Sequence, residues 1–208
     1  MGGVFDRIAE HYSKTLRLHG ATPRGAGWSS EPSQERRFTE LLRVCRGDKA
    51  GSVNDYGCGY GSLAARLRRD GYTGDYVGYD VSQDMIIAAN DLHGALERVS
   101  FTANQTALPR AAYTLASGIF NVRLDFPVPA WERYIRETID AMAELSSAGF
   151  AFNMLTAQND GGAKQMNLYY GDPAVWMNHC LRRFPRRVAL AHDYPLYEFT
   201  IFVRGVSD

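Results

Sequence analysis

Hydrophobic and polar positions switch period repeatedly along the chain, and each switch marks an element. Residues 4–20 carry Phe5, Ile8, Tyr12 and Leu16 at helical spacing. Residues 20–33 are rich in Gly, Pro and Ser and read as a loop. A second helix over 34–46 presents Phe38, Leu41, Leu42 and Cys45 on one face. Short apolar runs then predict strands at 51–56, 76–80, 98–103, 113–119 and 150–155. Between them, Leu63, Ala64 and Leu67 give an apolar face to a helix from Ser62 to Asp70 that stops at Gly71. Trp131, Ile135, Ile139, Met142 and Leu145 stripe a longer helix, with Gly149 as its expected end. Asp172-Pro173 reads as a cap followed by proline in the first turn, opening a helix with Met177, Cys180, Leu181 and Phe184 as its apolar positions. Two strands close the chain at 186–192 and 197–204. Strands alternating with helices predict an α/β fold around a mostly parallel sheet.

Val53 to Leu63 carries the most specific chemistry. A strand runs into Asp55-x-Gly57-x-Gly59-x-Gly61, and a helix follows. Glycines there let the backbone turn sharply and approach a ligand closely. The helix start directs free amides and the positive end of its dipole at the same place, which suits a carboxylate or hydroxyl. A dinucleotide site calls for G-x-G-x-x-G, but Ser62 stands where its third glycine belongs, which argues against a nicotinamide-dependent oxidoreductase. Asp80 lies 25 residues beyond Asp55, at the end of the second strand. A carboxylate there accepts both hydroxyls of a ribose and repels a 2′-phosphate.

An acid two residues before G-x-G-x-G resembles motif I of the class I S-adenosylmethionine (SAM) methyltransferases, and the resemblance extends over about 34–205. It implies a Rossmann-like fold: a seven-stranded, mostly parallel sheet whose last strand is antiparallel, helices on both faces, and an N-terminal helical cap. It implies SAM as cofactor, with S-adenosylhomocysteine (SAH) as product. Asp55, Gly57, Cys58, Gly59 and Gly61 then form the cofactor turn, with Asp55 toward the ammonium of the methionine part. Asp80 meets the ribose, Val81 and Met85 lie by the adenine, Asn104 meets the adenine amino group, and Ser117 flanks the methionine part. Two departures stand out. Asn54 and Tyr56 replace the usual apolar residues of the first strand, so one side of it is expected to be wetter. Ala116 to Asn121 lacks the Asn/Asp-Pro-Pro-aromatic motif of enzymes that methylate nucleic-acid amino groups.

Composition narrows the partners. The 208 residues suit one domain, residues 1–208, with 1–33 as cap and 156–176 as a lid. Lys+Arg and Asp+Glu are both 23, and no run of five like charges occurs, so nucleic acid is a disfavoured partner. Three cysteines without a C-x-x-C pair suggest a reducing compartment. No apolar run is long enough to span a membrane, no signal peptide is visible, and a cytoplasmic protein is expected, monomeric or homodimeric. No metal site is expected. Candidates for a base or orienting group are Tyr12, His19 and His192, with Asp193, Tyr169 and Tyr170 as further possibilities. Acceptor contacts are expected from Trp28, Arg37, Asn121, Asn153, Tyr169 and Tyr170, with Trp176 as a wall and Arg123 as a second anion-binding group. The expected activity is methyl transfer to O or N of a small molecule. Alternatives are a protein or tRNA methyltransferase, or a protein that binds SAM or SAH without transferring a methyl group.

Overall fold

The computed structural model describes residues 2–158 and 164–205. Helices α1 (Gly2–His19) and α2 (Glu31–Leu42) precede the sheet. There follow β1 (Val53–Tyr56), α3 (Ser62–Arg69), β2 (Tyr76–Tyr79), α4 (Gln83–His93), β3 (Val99–Thr102) and β4 (Ala111–Ala116). The chain closes with α5 (Val128–Glu144), β5 (Ser146–Leu155), α6 (Pro173–Arg183), β6 (Val188–Ala191) and β7 (Glu198–Arg204). The seven strands lie in the order β3-β2-β1-β4-β5-β7-β6, with β7 antiparallel to both of its neighbours. The expected sheet is therefore present. Its order reverses between β1 and β4, which leaves a crevice at their carboxyl ends where open α/β sheets bind ligands.

The pleat sends alternate side chains to opposite layers. Phe150 and Phe152 join a core cluster with Trp131, Ile135 and Trp176 from α5 and α6. Ala151 between them joins Phe38, Leu41, Leu63 and Leu67 from α2 and α3 on the other face. Among the described residues, no helix is long and apolar enough to cross a membrane.

Four expectations are corrected. First, α2 begins at Glu31 rather than in the mid-thirties, because the Ser30 side chain accepts from Ser33 N and Pro32 fits the first helical turn. Second, β4 starts two residues earlier than expected and ends at Ala116, before Gly118 turns the chain at φ +72°. Third, Gly149 does not end α5. It lies inside β5, opposite Arg204, where a Cβ would come within 2.6 Å of the Val203 carbonyl oxygen. Fourth, β1 is buried along its whole length rather than wet on one side. Asn54 donates through Nδ2 to the Pro109 carbonyl at 2.7 Å. The Tyr56 ring packs edge-on against Tyr79, with centroids 5.0 Å apart.

The lid segment 156–176 divides. Residues 159–163 lie outside the described residues. Thr156 bridges Gly171, Leu168 bridges Val122, and the last residues belong to α6, where Trp176 is wholly buried. Gly149→Ala should lower stability by about 1–3 kcal/mol, because a backbone oxygen cannot yield to the added methyl as a side chain could. Urea denaturation of the two proteins measures this.

Candidate active site

One large cavity opens at the crevice and encloses about 820 Å³, including its mouth. Its floor comes from the strand ends and the turn after β1. Gly57, Gly59 and Gly61 all take positive φ (87°, 55° and 80°), a conformation that side chains with a Cβ rarely adopt. Gly57 N and Cys58 N both donate to the Tyr79 carbonyl, at 2.7 and 2.9 Å, which pins the turn to the end of β2. At Gly57 a Cβ would lie 2.2 Å from Ile119 Cγ2, so the loop after β4 also closes directly onto the turn.

Two carboxylates face this floor. Asp80 is fixed by Gly59 N on Oδ2 and Ser82 N on Oδ1, both donating at 2.9 Å. Asp55 accepts from the Tyr76 hydroxyl at 2.7 Å. Burial pushes Asp55 up to about 7, the Tyr76 hydrogen bond opposes the shift, and the Asp80 charge adds to it. Burial likewise pushes Asp80 up to about 6, against the pull of its two amide donors. The Cys58 thiol is raised well above its usual range, chiefly by burial, and stays neutral.

The walls are aromatic and apolar. Phe5, Ile8 and Tyr12 descend from one face of α1, tied down where the Ser13 and Ser82 hydroxyls meet at 2.9 Å. Trp28, Tyr56, Tyr79, Ile119 and Tyr134 complete the enclosure. Gln34, which sequence reasoning did not single out, also lines it, as does Ser62, noted there as the residue in place of a third glycine. Gln34 donates to Ser62 Oγ at 3.0 Å and accepts from the Tyr60 hydroxyl at 2.8 Å, so α2 is clamped to the start of α3. The spacing of Gln34 on α2 offered no signal for this. Its role comes from a contact across 28 residues.

Of the expected cofactor residues, Asp55, Gly57, Cys58, Gly59, Asp80, Val81, Met85 and Ser117 line the cavity. Gly61 stands just behind it as the residue preceding α3. Asn104 does not reach it: this exposed residue caps a short turn, and its Oδ1 accepts from Thr106 N. Of the expected chemistry, Tyr12 and Trp28 line the cavity, whereas His19 and His192 are exposed and outside its walls. Asn121 is spent on structure, its Oδ1 accepting from Leu155 N at 3.0 Å. Tyr169 and Tyr170 line a separate cleft with Arg123, beside α5 and α6.

Arg37 and Asn153 belong to a buried network behind the wall. Arg37 pairs with Glu198, and its guanidinium lies 4.1 Å from the centre of the Trp28 ring. Glu198 Oε2 accepts from Asn153 Nδ2 at 2.7 Å, and Asn153 Oδ1 accepts from Gly118 N at 2.6 Å. Trp28 in turn lies so close over Gly118 that a Cβ there would sit 2.1 Å from the indole. The ring wall and the loop after β4 are thus held by one ion pair.

Two outcomes follow. Both raised carboxyls bind protons more tightly in the folded chain than in the unfolded one, so stability falls as pH rises from about 4 through about 7. Asp55→Asn should therefore stabilise the ligand-free protein at pH 8, by about 1–3 kcal/mol, and leave it little changed at pH 4. Thermal melts at the two pH values check this. Glu198→Ala leaves the Arg37 guanidinium buried without its partner and should cost about 3–5 kcal/mol in urea denaturation, with Glu198→Gln costing less.

Comparison with known proteins agrees with this geometry. A family model described as a methyltransferase domain matches residues 53–144. Rv1506c of Mycobacterium tuberculosis (strain ATCC 25618 / H37Rv), named as a methyltransferase candidate, is 41% identical over 166 residues, covering 80% of this chain and 100% of the relative. Solved structures share the fold at low identity. DhpI in complex with SAM and HEP superposes with a TM-score of 0.63 at 16% identity, covering 98% of this chain and 99% of that one. The N-methyltransferase NodS from Bradyrhizobium japonicum WM9 gives 0.60 at 14% identity, covering 84% and 97%. Magnesium protoporphyrin IX methyltransferase from Synechocystis PCC 6803 with bound SAM gives 0.59 at 17% identity, covering 83% and 79%. With the acid–glycine turn, the reversed sheet order and a relative of this identity along its full length, the chain belongs to the class I SAM-dependent methyltransferases.

Proposed function

We propose that this enzyme transfers the methyl group of SAM to a small-molecule acceptor held between the α1 cap and the carboxyl edge of the sheet. One observation carries the proposal. The acid–glycine cradle and the aromatic walls belong to one cavity, so cofactor and acceptor sites are continuous and roofed by a helix of the same chain. A cavity roofed by a helix of the same chain suits a small ligand better than a polypeptide or an RNA.

The residues present fit the cofactor. Ser117 Oγ is buried without a partner at the cavity wall. Asp80 has lone pairs left for a ribose diol after its two amide bonds. Asp55 offers a carboxylate for an ammonium group. Val81 and Met85 supply apolar contact for a flat base. When bound, SAM supplies a methyl group already activated as a sulfonium substituent.

The chain's contribution is then placement. The pinned turn and Asp80 fix one ligand, and the α1 face and Trp28 confine the other. Fixed alignment of reactants accounts for up to about 7–11 kcal/mol of a barrier in favourable cases. Closure of α1 excludes water. Two exposed ion pairs, Arg7–Asp125 at 2.5 Å and Arg17–Asp84 at 3.8 Å, hold that helix. Exposed pairs are individually weak, which suits a cap that must open to admit ligands. Tyr12 is the member of the expected catalytic set that reaches the cavity, and burial pushes its phenol up, so it acts as a neutral hydrogen-bonding group and not as a base.

Calorimetry with SAM and SAH tests the cofactor. We expect micromolar binding, lost in Asp80→Ala. Failure of the folded protein to bind either ligand would overturn the proposal. Affinity for SAM should rise roughly tenfold between pH 5.5 and pH 7.5 as the two carboxyls ionise, with protons released on binding. Transfer of labelled methyl across an acceptor panel identifies the product.

A further inference from the structure

The cavity carries a signature of charge that the overall neutrality of the chain hides. Its walls hold two carboxylates, Asp55 and Asp80, and among the described residues they hold no lysine, arginine or histidine. The two arginines with the best claim to bind an anion are committed elsewhere. Arg37 is paired with Glu198 and covered by Trp28. Arg123 lines the other cleft and donates to the Phe126 and Met166 carbonyls.

The polar groups that remain are neutral. Tyr12, Tyr56 and Tyr79 line the cavity, and among the described residues their hydroxyls have no hydrogen-bond partner in the protein. Tyr56 and Tyr79 are nevertheless buried. Their oxygens stay open to the cavity, whereas Ser117 Oγ on the same wall is sealed without a partner, so a ligand that enters can take these hydroxyl bonds in place of water. Burial raises all three phenols, so they stay protonated donors at neutral pH. Phe5, Ile8, Trp28, Ile119 and Tyr134 present apolar faces around them.

We infer that the methyl acceptor carries no negative charge: a hydroxyl, amine or amide compound on an apolar, planar frame, hydrogen-bonded by the tyrosine hydroxyls and stacked on the aromatic walls. This rests on the methyltransferase assignment and extends it to substrate class. A carboxylate or phosphate acceptor would lose its hydration and find no lysine, arginine or histidine in the described walls, while Asp80, whose charge a neutral ribose does not cancel, repels it. A neutral acceptor loses little on entering and gains the apolar contact.

The test uses the full chain saturated with SAH and three probes of one frame: 2-naphthol, 2-naphthamide and 2-naphthoate. Dissociation constants come from ligand-observed NMR. Both neutral probes should bind at least tenfold more tightly than naphthoate. Phe5→Lys, which adds an ammonium at the cap, should narrow that gap at least threefold. Naphthoate binding as tightly as the neutral probes, binding by none of the three, or a ratio unmoved by Phe5→Lys would overturn the inference while leaving the cofactor assignment intact. Failure of SAH itself to bind would instead overturn the methyltransferase assignment, and this inference with it.

Discussion

The site depends on two carboxylates held out of water at the carboxyl edge of the sheet. Folding them there opposes stability, as their raised pKa values show. The structure tolerates it through directed hydrogen bonds. Asp80 draws on the amides of Gly59 and Ser82, and Asp55 on the phenol of Tyr76. Such bonds stabilise the ionised form, but less than water would. The deficit is what a ligand carrying an ammonium group and a diol can relieve. On the proposed reading, binding and folding are in tension in the free protein and in agreement in the complex.

The same bonds set the geometry around them. Because Gly59 N bonds Asp80 and two further turn amides bond Tyr79, the glycine turn cannot move independently of β2. Ser82, which shares a hydrogen bond with Ser13, carries that order to the α1 cap. On the far side, the Arg37–Glu198–Asn153–Gly118 chain ties the loop after β4 to the last strand and to the Trp28 wall. Floor, roof and wall are each fixed by polar contacts between segments distant in sequence. The aromatic surface between them stays free to serve as a binding face.

Much of this was legible in the chain, and some of it was not. The turn, both acids and the face of α3 followed from local spacing, because a strand–turn–helix unit is short and its glycine requirements are local. Gly149 misled: a glycine after a long helix reads as a stop, yet here the constraint is the approach of β7, which no local signal carries. Asn54 and Tyr56 suggested a wet strand, yet the Pro109 carbonyl and the Tyr79 ring absorb them. His19 and His192 attracted attention by residue type, and both are exposed away from the cavity. Gln34 and Tyr134 gave no sign of their place in it, since each reads as an ordinary helical position.

By itself, then, the sequence determined the α/β class, the order of elements, and the glycine turn with its two acids. These rest on periodicity and on backbone conformations that residue types dictate within a few positions. Only the tertiary structure decided which side chains share the cavity and which charges are already neutralised. Arg37 and Glu198 stand 161 residues apart, and nothing short of the packed sheet brings them together. The charge of a site is the sum of groups that face one volume, and chain order does not encode which groups those are. That is why a chain with equal numbers of acidic and basic residues carries a cavity with two carboxylates and no cation among its described walls.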